Sequence, residues 1–316
     1  MTQPAILRLG TRGSPLALAQ ANEVKRRLAE AHSDLADEAA VEIVVIKTTG
    51  DKIQDRALSE IGGKGLFTKE IEEALLDGSI DAAVHSMKDV PTWLPDGLEI
   101  STILPREDPR DAFFSLKSTK ISDLPQGSVV GSASLRRQAQ VMLARPDLKV
   151  VTLRGNVQTR LRKLAEGEVD ATLLAVAGLR RLGEAERITS ILEPEEMLPA
   201  VAQGAVGLEV RSDDSVTRGY LSAIDDAVSA VRVAAERACL EVLDGSCRTP
   251  IAALAELDTT PGSLNLRALV AMPDGSQVWR GARQGSAGDA AELGRDLGEE
   301  LRTEMGPDVI RSLTSH

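Results

Sequence analysis

The chain has 316 residues, too long for one ordinary domain, and its 42% hydrophobic and 27% charged residues are the balance of a globular protein. A net charge of −11 argues against general nucleic-acid binding and makes any local gathering of arginines more telling. No apolar run approaches the roughly 20 residues of a membrane span, and Met1-Thr2-Gln3-Pro4 has no basic patch followed by an apolar segment, so no secretory signal is expected. Two cysteines exclude a disulfide-rich scaffold, and His32, His85 and His316 lie too far apart to suggest structural zinc. A cytoplasmic enzyme is the expectation.

Taken in chain order, residues 6–9 read as a strand. A helix follows, with Ser14 as N-cap, Pro15 in its first turn and Leu16, Val24 and Leu28 on one apolar face. Residues 41–47 read as a second strand and 67–76 as a helix ended near Gly78. A buried strand over 80–84 runs directly into His85-Ser86-Met87-Lys88-Asp89-Val90-Pro91. A similar block comes next. Residues 129–131 form a strand, and Ser132-Ala133-Ser134 caps a helix that begins Leu135-Arg136-Arg137. A strand over 149–153 turns at Arg154-Gly155-Asn156 into a helix carrying Arg160 and Arg162, and a strand over 171–177 ends at Gly178-Leu179-Arg180-Arg181. This alternation predicts mainly parallel α/β sheets. The pattern breaks near Arg110 and over 199–203, after which residues 205–210 read as a strand and 213–242 as a long helical region. From Pro250 the character changes to three strands, over 251–257, 264–272 and 277–284, then a helix from residue 289. Pro273-Asp274-Gly275-Ser276 is a hairpin turn between the last two strands. The C-terminal part therefore reads as a small antiparallel α+β domain.

Ligands of α/β sheets bind at the C-terminal ends of strands, where helix N-termini offer N–H groups and a positive dipole end. Five such ends are basic here, at Arg12, Lys88, Arg136-Arg137, Arg154 and Arg180-Arg181. Arginine binds carboxylates bidentately, so several in one place imply a substrate with several carboxylates; a single one reads first as a solvated helix residue. On spacing alone Asp89 is a turn-former before Val90-Pro91, with a cleft carboxylate that stabilises a cation or moves a proton as the alternative. His85 reads as structural. Cys247 lies in a small polar loop beside Arg248, which favours the thiolate, whereas Cys239 sits on an apolar helix face and reads as packing. Gly62-Gly63-Lys64-Gly65 lacks the full phosphate-loop pattern and reads as a flexible lid with a basic residue.

Nine segments in order resemble the porphobilinogen deaminase (hydroxymethylbilane synthase) family. They include Thr11-Arg12-Gly13-Ser14-Pro15-Leu16, Gly62-Gly63-Lys64-Gly65-Leu66-Phe67, His85-Ser86-Met87-Lys88-Asp89-Val90-Pro91, Arg106-Glu107-Asp108-Pro109-Arg110-Asp111, Ser134-Leu135-Arg136-Arg137-Gln138, Leu153-Arg154-Gly155-Asn156-Val157, Pro199-Ala200-Val201-Ala202-Gln203-Gly204 and Gly245-Ser246-Cys247. The resemblance implies two α/β domains like the lobes of type II periplasmic binding proteins, with a cleft between them, and a small α+β domain with a three-stranded antiparallel sheet. The expected boundaries are 1–104 with 200–222, 105–199 and 223–316. It also implies a dipyrromethane cofactor joined to Cys247 by a thioether. Four porphobilinogens would be added head to tail, each losing ammonia to give an electrophilic azafulvene, before hydrolytic release of hydroxymethylbilane.

By motif match, Asp89 is the catalytic carboxylate. Lys88, Ser134, Arg136, Arg137, Arg154, Gly155, Asn156 and Arg160 are cofactor-binding. Arg12, Ser14, Lys64, Ser86, Arg154, Arg160 and Arg181 meet substrate acetates and propionates. No metal, nucleic-acid or membrane partner is expected, and the expected state is a monomer. Two positions depart from some family members, which have lysine at Glu60 and arginine at Thr49. A non-catalytic anion-binding protein of the same two-lobed fold is the competing reading, opposed by Asp89 and by the domain bearing Cys247. A nucleic-acid regulator is opposed by 2% aromatic content and the lack of a helix-turn-helix pattern.

Overall fold

The computed structural model of the chain describes residues 6–52, 68–243, 249–258 and 262–314, the side chains of residues 51, 52 and 314 aside. The glycine-rich segment with Lys64, and the loop with Cys247, lie outside the described residues. Two compact units are present. The first holds residues up to 52, 68–107 and 205–230; the second holds 108–204 and the residues from 231 onward.

In the first unit, β1 (Leu7–Thr11) leads to α1 (Pro15–Ala31). Ser14 caps α1 by accepting from Ala17 N–H, and Pro15 falls where its missing N–H has no helical partner to lose. Gln20, Ala21, Val24 and Leu28 form the buried face of this helix. The elements β2 (Val41–Val45), the single turn α2 (Thr49–Lys52), α3 (Lys69–Leu76), β3 (Ala82–Ser86) and β4 (Leu98–Ile103) follow. The chain later returns to add β10 (Val206–Arg211) and α7 (Ser215–Ser222). Strand order is β2-β1-β3-β10-β4. Leu7, Leu9, Val24, Leu28, Val84, Leu208 and Val210 meet in its core.

The second unit contains β5 (Asp111–Ser115), β6 (Val129–Gly131), α4 (Leu135–Ala144), β7 (Lys149–Val151), α5 (Val157–Ala165), β8 (Ala171–Ala175), α6 (Val176–Arg181) and β9 (Ser190–Leu192). Its sheet runs β7-β6-β8-β5-β9, the same plan as the first sheet. In each sheet the antiparallel strand between third and edge, β10 or β5, is the first strand made after the chain crosses over. The unit continues with most of α8 (Ala227–Val242), then β11 (Ile251–Leu257), β12 (Ser263–Ala271), β13 (Val278–Ser286) and α9 (Ala290–Thr314). These last strands form an antiparallel sheet in chain order, with Ala252, Leu254 and Leu269 packed on Ala139 and Leu198. Four glycines let α9 lie close to its neighbours. A Cβ on Gly294 or Gly298 would meet the α8 carbonyls of Ala235 and Cys239, and one on Gly281 or Gly285 would meet Leu297 and Leu293.

The expectation of mainly parallel sheets needs correction. In each five-stranded sheet two pairings are parallel and two antiparallel, because the crossing strand enters from the opposite end. The helical region 213–242 is two helices. The break falls at Asp225, which accepts from Ile103 N–H, and Asp226, which accepts from Ser229 N–H at the start of α8; both bonds are 2.8 Å. The strand expected over 171–177 ends at Ala175, where α6 begins.

Candidate functional site

In the first unit the basic and hydroxyl residues gather at the C-terminal ends of β1 and β3, which are neighbours in the sheet. Ser14 Oγ is taken up as the α1 cap, 3.2 Å from Ala17 N, and Arg12 beside it is half-buried. Beyond β3, Met87–Asp89 form one 3-10 turn. Three contacts hold that turn. Gln20 Nε2 donates to Ser86 Oγ at 2.8 Å, Met87 N donates to Ala205 O at 3.0 Å, and the Met87 side chain is buried against Gly207. Gly207 must lack a Cβ, because one there would stand 2.1 Å from Met87 Sδ. Lys88 and Asp89 are thereby presented at the sheet end, both half-buried. No hydrogen bond or ion pair joins the Asp89 carboxylate to another described residue.

In the second unit Ser134 caps α4 by accepting from Arg137 N–H, which places Arg136 and Arg137 in the first helical turn. Both side chains are buried, and both reach Asp111 at the start of β5, which has no exposure. Arg136 Nη1 lies 2.7 Å from Asp111 Oδ2, and Arg137 Nη2 donates to Asp111 Oδ1 at 2.7 Å. Arg136 Nη1 also donates to Leu198 O at 2.8 Å, Arg137 Nη1 to Leu173 O at 2.9 Å, and Gln203 Nε2 to Asp111 Oδ1 at 2.8 Å. Burial opposes ionisation of Asp111, but the two guanidiniums outweigh it and hold the carboxyl far below its ordinary range. The Nε–H groups of Arg136 and Arg137 remain buried without an acceptor among the described residues.

The next turn is built from its backbone. Gly155 has φ +119, a conformation that favours glycine, and Asn156 Oδ1 caps α5 by accepting from Thr159 N at 2.8 Å. Arg160, one turn into α5, donates from Nε to Gly155 O at 2.9 Å. Although the residue is only half-buried, its guanidinium is pushed down to about 10, by loss of solvent first and then by the charges of Arg137 and Arg154. It stays charged at neutral pH in a field set by other cations. Arg137, Arg154 and Arg160 are thus brought together. Arg181 is held separately, donating to Gly204 O at 3.1 Å.

This chemistry fits a bound polyanion. An arginine depressed by two other arginines gains from a carboxylate beside it, and two buried Nε–H groups want acceptors. The acetate and propionate groups of a dipyrromethane are of that kind. Cys239 contrasts with this region. It is fully buried on α8, and burial, with the Glu236 charge adding, pushes its thiol up to about 12. Asp111, Gln203 and Glu209 carry geometry that the strand-end pattern did not assign. Asp111 and Gln203 lie inside motifs, so their presence was visible but their partners were not.

A chain with two five-stranded α/β sheets and cationic strand ends is a scaffold suited to anionic small molecules. Residues 7–219 match the family described as porphobilinogen deaminase, dipyromethane cofactor binding domain, and residues 230–303 match its C-terminal domain. The porphobilinogen deaminase of Paracoccus denitrificans is 60% identical over 304 residues, 96% of each chain. The chloroplastic porphobilinogen deaminase of Oryza sativa subsp. japonica is 58% identical over 311 residues, 98% of this chain and 87% of its own. A periplasmic substrate-binding protein of an ABC transporter from Coxiella burnetii aligns at 18% identity and a TM-score of 0.43, over 69% of this chain and 91% of its own. The chain belongs to the porphobilinogen deaminase family.

Proposed function

We propose that the chain is a hydroxymethylbilane synthase, a transferase that joins four porphobilinogens head to tail with release of ammonia and frees the linear tetrapyrrole by hydrolysis. The observation that carries this reading is 60% identity sustained over 96% of both chains, with the motifs at the strand ends intact. Cys247 holds a dipyrromethane through a thioether; Cys239, buried with its thiol pushed up to about 12, is the wrong cysteine for that bond. When bound, the dipyrromethane supplies the free pyrrole α-carbon from which chain extension starts.

The remaining work falls to side chains. Arg136, Arg137, Arg154 and Arg160, with Lys88, Ser134 and the Gly155–Asn156 turn, bind and orient the acetates and propionates of the cofactor. Arg12, Ser14, Lys64, Ser86 and Arg181, together with Arg154 and Arg160, take those of the incoming pyrrole. Asp89, fixed by the 3-10 turn after β3, offers a carboxylate as counter-charge to the cation that forms as ammonia leaves, and as acceptor of the pyrrole α-proton. The three-domain division, 1–104 with 200–222, 105–199 and 223–316, belongs to the same proposal, as does a cytoplasmic monomer without nucleic-acid or membrane partners.

Intact mass of the denatured protein with peptide mapping across Cys247 is the direct test. An excess equal to a dipyrromethane on that peptide, lost in Cys247→Ser and kept in Cys239→Ser, is the expected result. A chain that acquires no adduct after incubation with porphobilinogen or preformed hydroxymethylbilane would overturn the reading. Asp89→Ala is expected to abolish turnover while retaining the adduct and the fold.

A further inference from the structure

His85 ends up buried beside the Asp89 turn with no part in the chemistry above. Its Nε2 lies 2.8 Å from Glu209 Oε2; His85 is 5% exposed and Glu209 0%. The two do not face each other directly. In the β3–β10 pairing Gly207 stands opposite His85 and Glu209 opposite Ala83, so the contact runs diagonally across the two strands. Glu72 on α3 is buried nearby, within reach of both groups.

A buried polar pair is weak evidence for stability, since apolar side chains of similar volume often do as well. What such a pair can fix is register. A one-residue slip turns every side chain to the other face. Here β10 has a particular need of that. On its other edge, against β4, the register shifts between Leu208 and Glu209, so β4 does not hold β10 in a single regular ladder. The β3 side must set it. Register at this point has a local consequence, because Met87 packs on Gly207 and bonds to Ala205 O, both next to or on β10. Sliding β10 by one residue would move the seat of Met87, and with it Lys88 and Asp89.

We propose that the diagonal contact between His85 and Glu209 is a register pin that positions Asp89, making His85 a positioning residue for the reaction. The inference rests on the assignment of Asp89 above. Packing alone would hold the strands together without it; the pin selects which of the available registers they take.

The test compares holoenzymes carrying Asp89→Ala, His85→Gln and the double change His85→Leu with Glu209→Leu, which replaces the pair by apolar side chains. Turnover of porphobilinogen, urea unfolding and amide hydrogen exchange are measured on each. In the double variant the expected urea midpoint is near that of the parent, kcat falls by about tenfold or more and KM stays within about twofold. Exchange at the Met87 amide is expected to speed up by about tenfold while Ala83 and Val84 stay protected. Should the double variant fail to fold, His85→Gln is expected to show the same pattern at smaller amplitude. An unchanged kcat and unchanged Met87 exchange in a folded variant would overturn the pin. Full activity in Asp89→Ala, with Met87 exchange altered in the pair variants, would instead overturn the role given to Asp89 and leave the pin standing.

Discussion

Asp111 sits between two guanidiniums with no access to water. Removing its charge would leave Arg136 and Arg137 buried without an anion, which costs about 3–5 kcal/mol when one partner of a buried pair is lost. Asp111→Asn should therefore lower the unfolding free energy by about that much in urea titrations at neutral pH, and reduce retention of the covalent adduct. The pH sign follows from the depressed carboxyl. Its contribution is complete above the unfolded value of 3.8 and is lost as pH falls through the lower folded value. Parent and Asp111→Asn unfolding curves should accordingly converge on acidification, and a constant difference between them would refute the assignment.

Glu72 behaves in the opposite sense. Burial pushes its carboxyl above 4.5, against the Thr68 hydroxyl and with Glu209 adding. The folded chain then holds that proton more tightly than the unfolded one, so stability falls as pH rises from 4.5 through the folded value. Glu72→Gln should be more stable than the parent at neutral and alkaline pH and no more stable below pH 4.5, as read from melting temperature against pH.

At the level of elements, glycines decide how closely neighbours pack. Alanine is favoured over glycine inside a helix by about 1 kcal/mol. At Gly294, however, a Cβ would stand 2.2 Å from the backbone carbonyl of Ala235, which cannot step aside as a side chain could. Overpacking of this kind costs about 3 kcal/mol, so Gly294→Ala should destabilise despite its better propensity, measured as a lower urea midpoint. Gly207→Ala is a different case, because the atom it meets is the end of the flexible Met87 side chain. It should displace Met87 and lower kcat, with a smaller loss of urea midpoint than Gly294→Ala. An unchanged kcat in Gly207→Ala would show that the turn is not displaced through Met87.

Elements also mark what a reader of the sequence can see. The strands 129–131 and 251–257 and the start of α4 are where local pattern puts them, since their caps, turns and alternation lie within a few residues. Strand β5 was hidden, because it opens with a charged residue after Pro109, and that residue is buried through distant partners, Arg136, Arg137 and Gln203. The break between α7 and α8 is equally non-local, one of its two aspartate bonds going to Ile103. The candidate site divides the same way. Arginines at strand ends are readable from strand–turn–helix chemistry, whereas the partner of His85 is 124 residues away and that of Arg137 is 26.

On the scale of the whole molecule, the shared strand order of the two five-stranded sheets has a temporal side. The second sheet is drawn from one continuous stretch, Asp111 to Leu192. The first sheet needs β10, made only after that stretch is complete. A chain cut after residue 204 should protect β5 to β9 from hydrogen exchange and leave β3 unprotected on one edge; equal protection of both sheets in that fragment would contradict this. On a ribosome adding about 5–20 residues each second, the 120 residues from Ser86 to Val206 take roughly 6–24 s to make. Through that interval the edge Ala82-Ala83-Val84 has no β10 to pair with, and nascent chains on the same message could pair there instead. A long synthesis gap beside an apolar strand edge is thus built into the strand order of the first sheet.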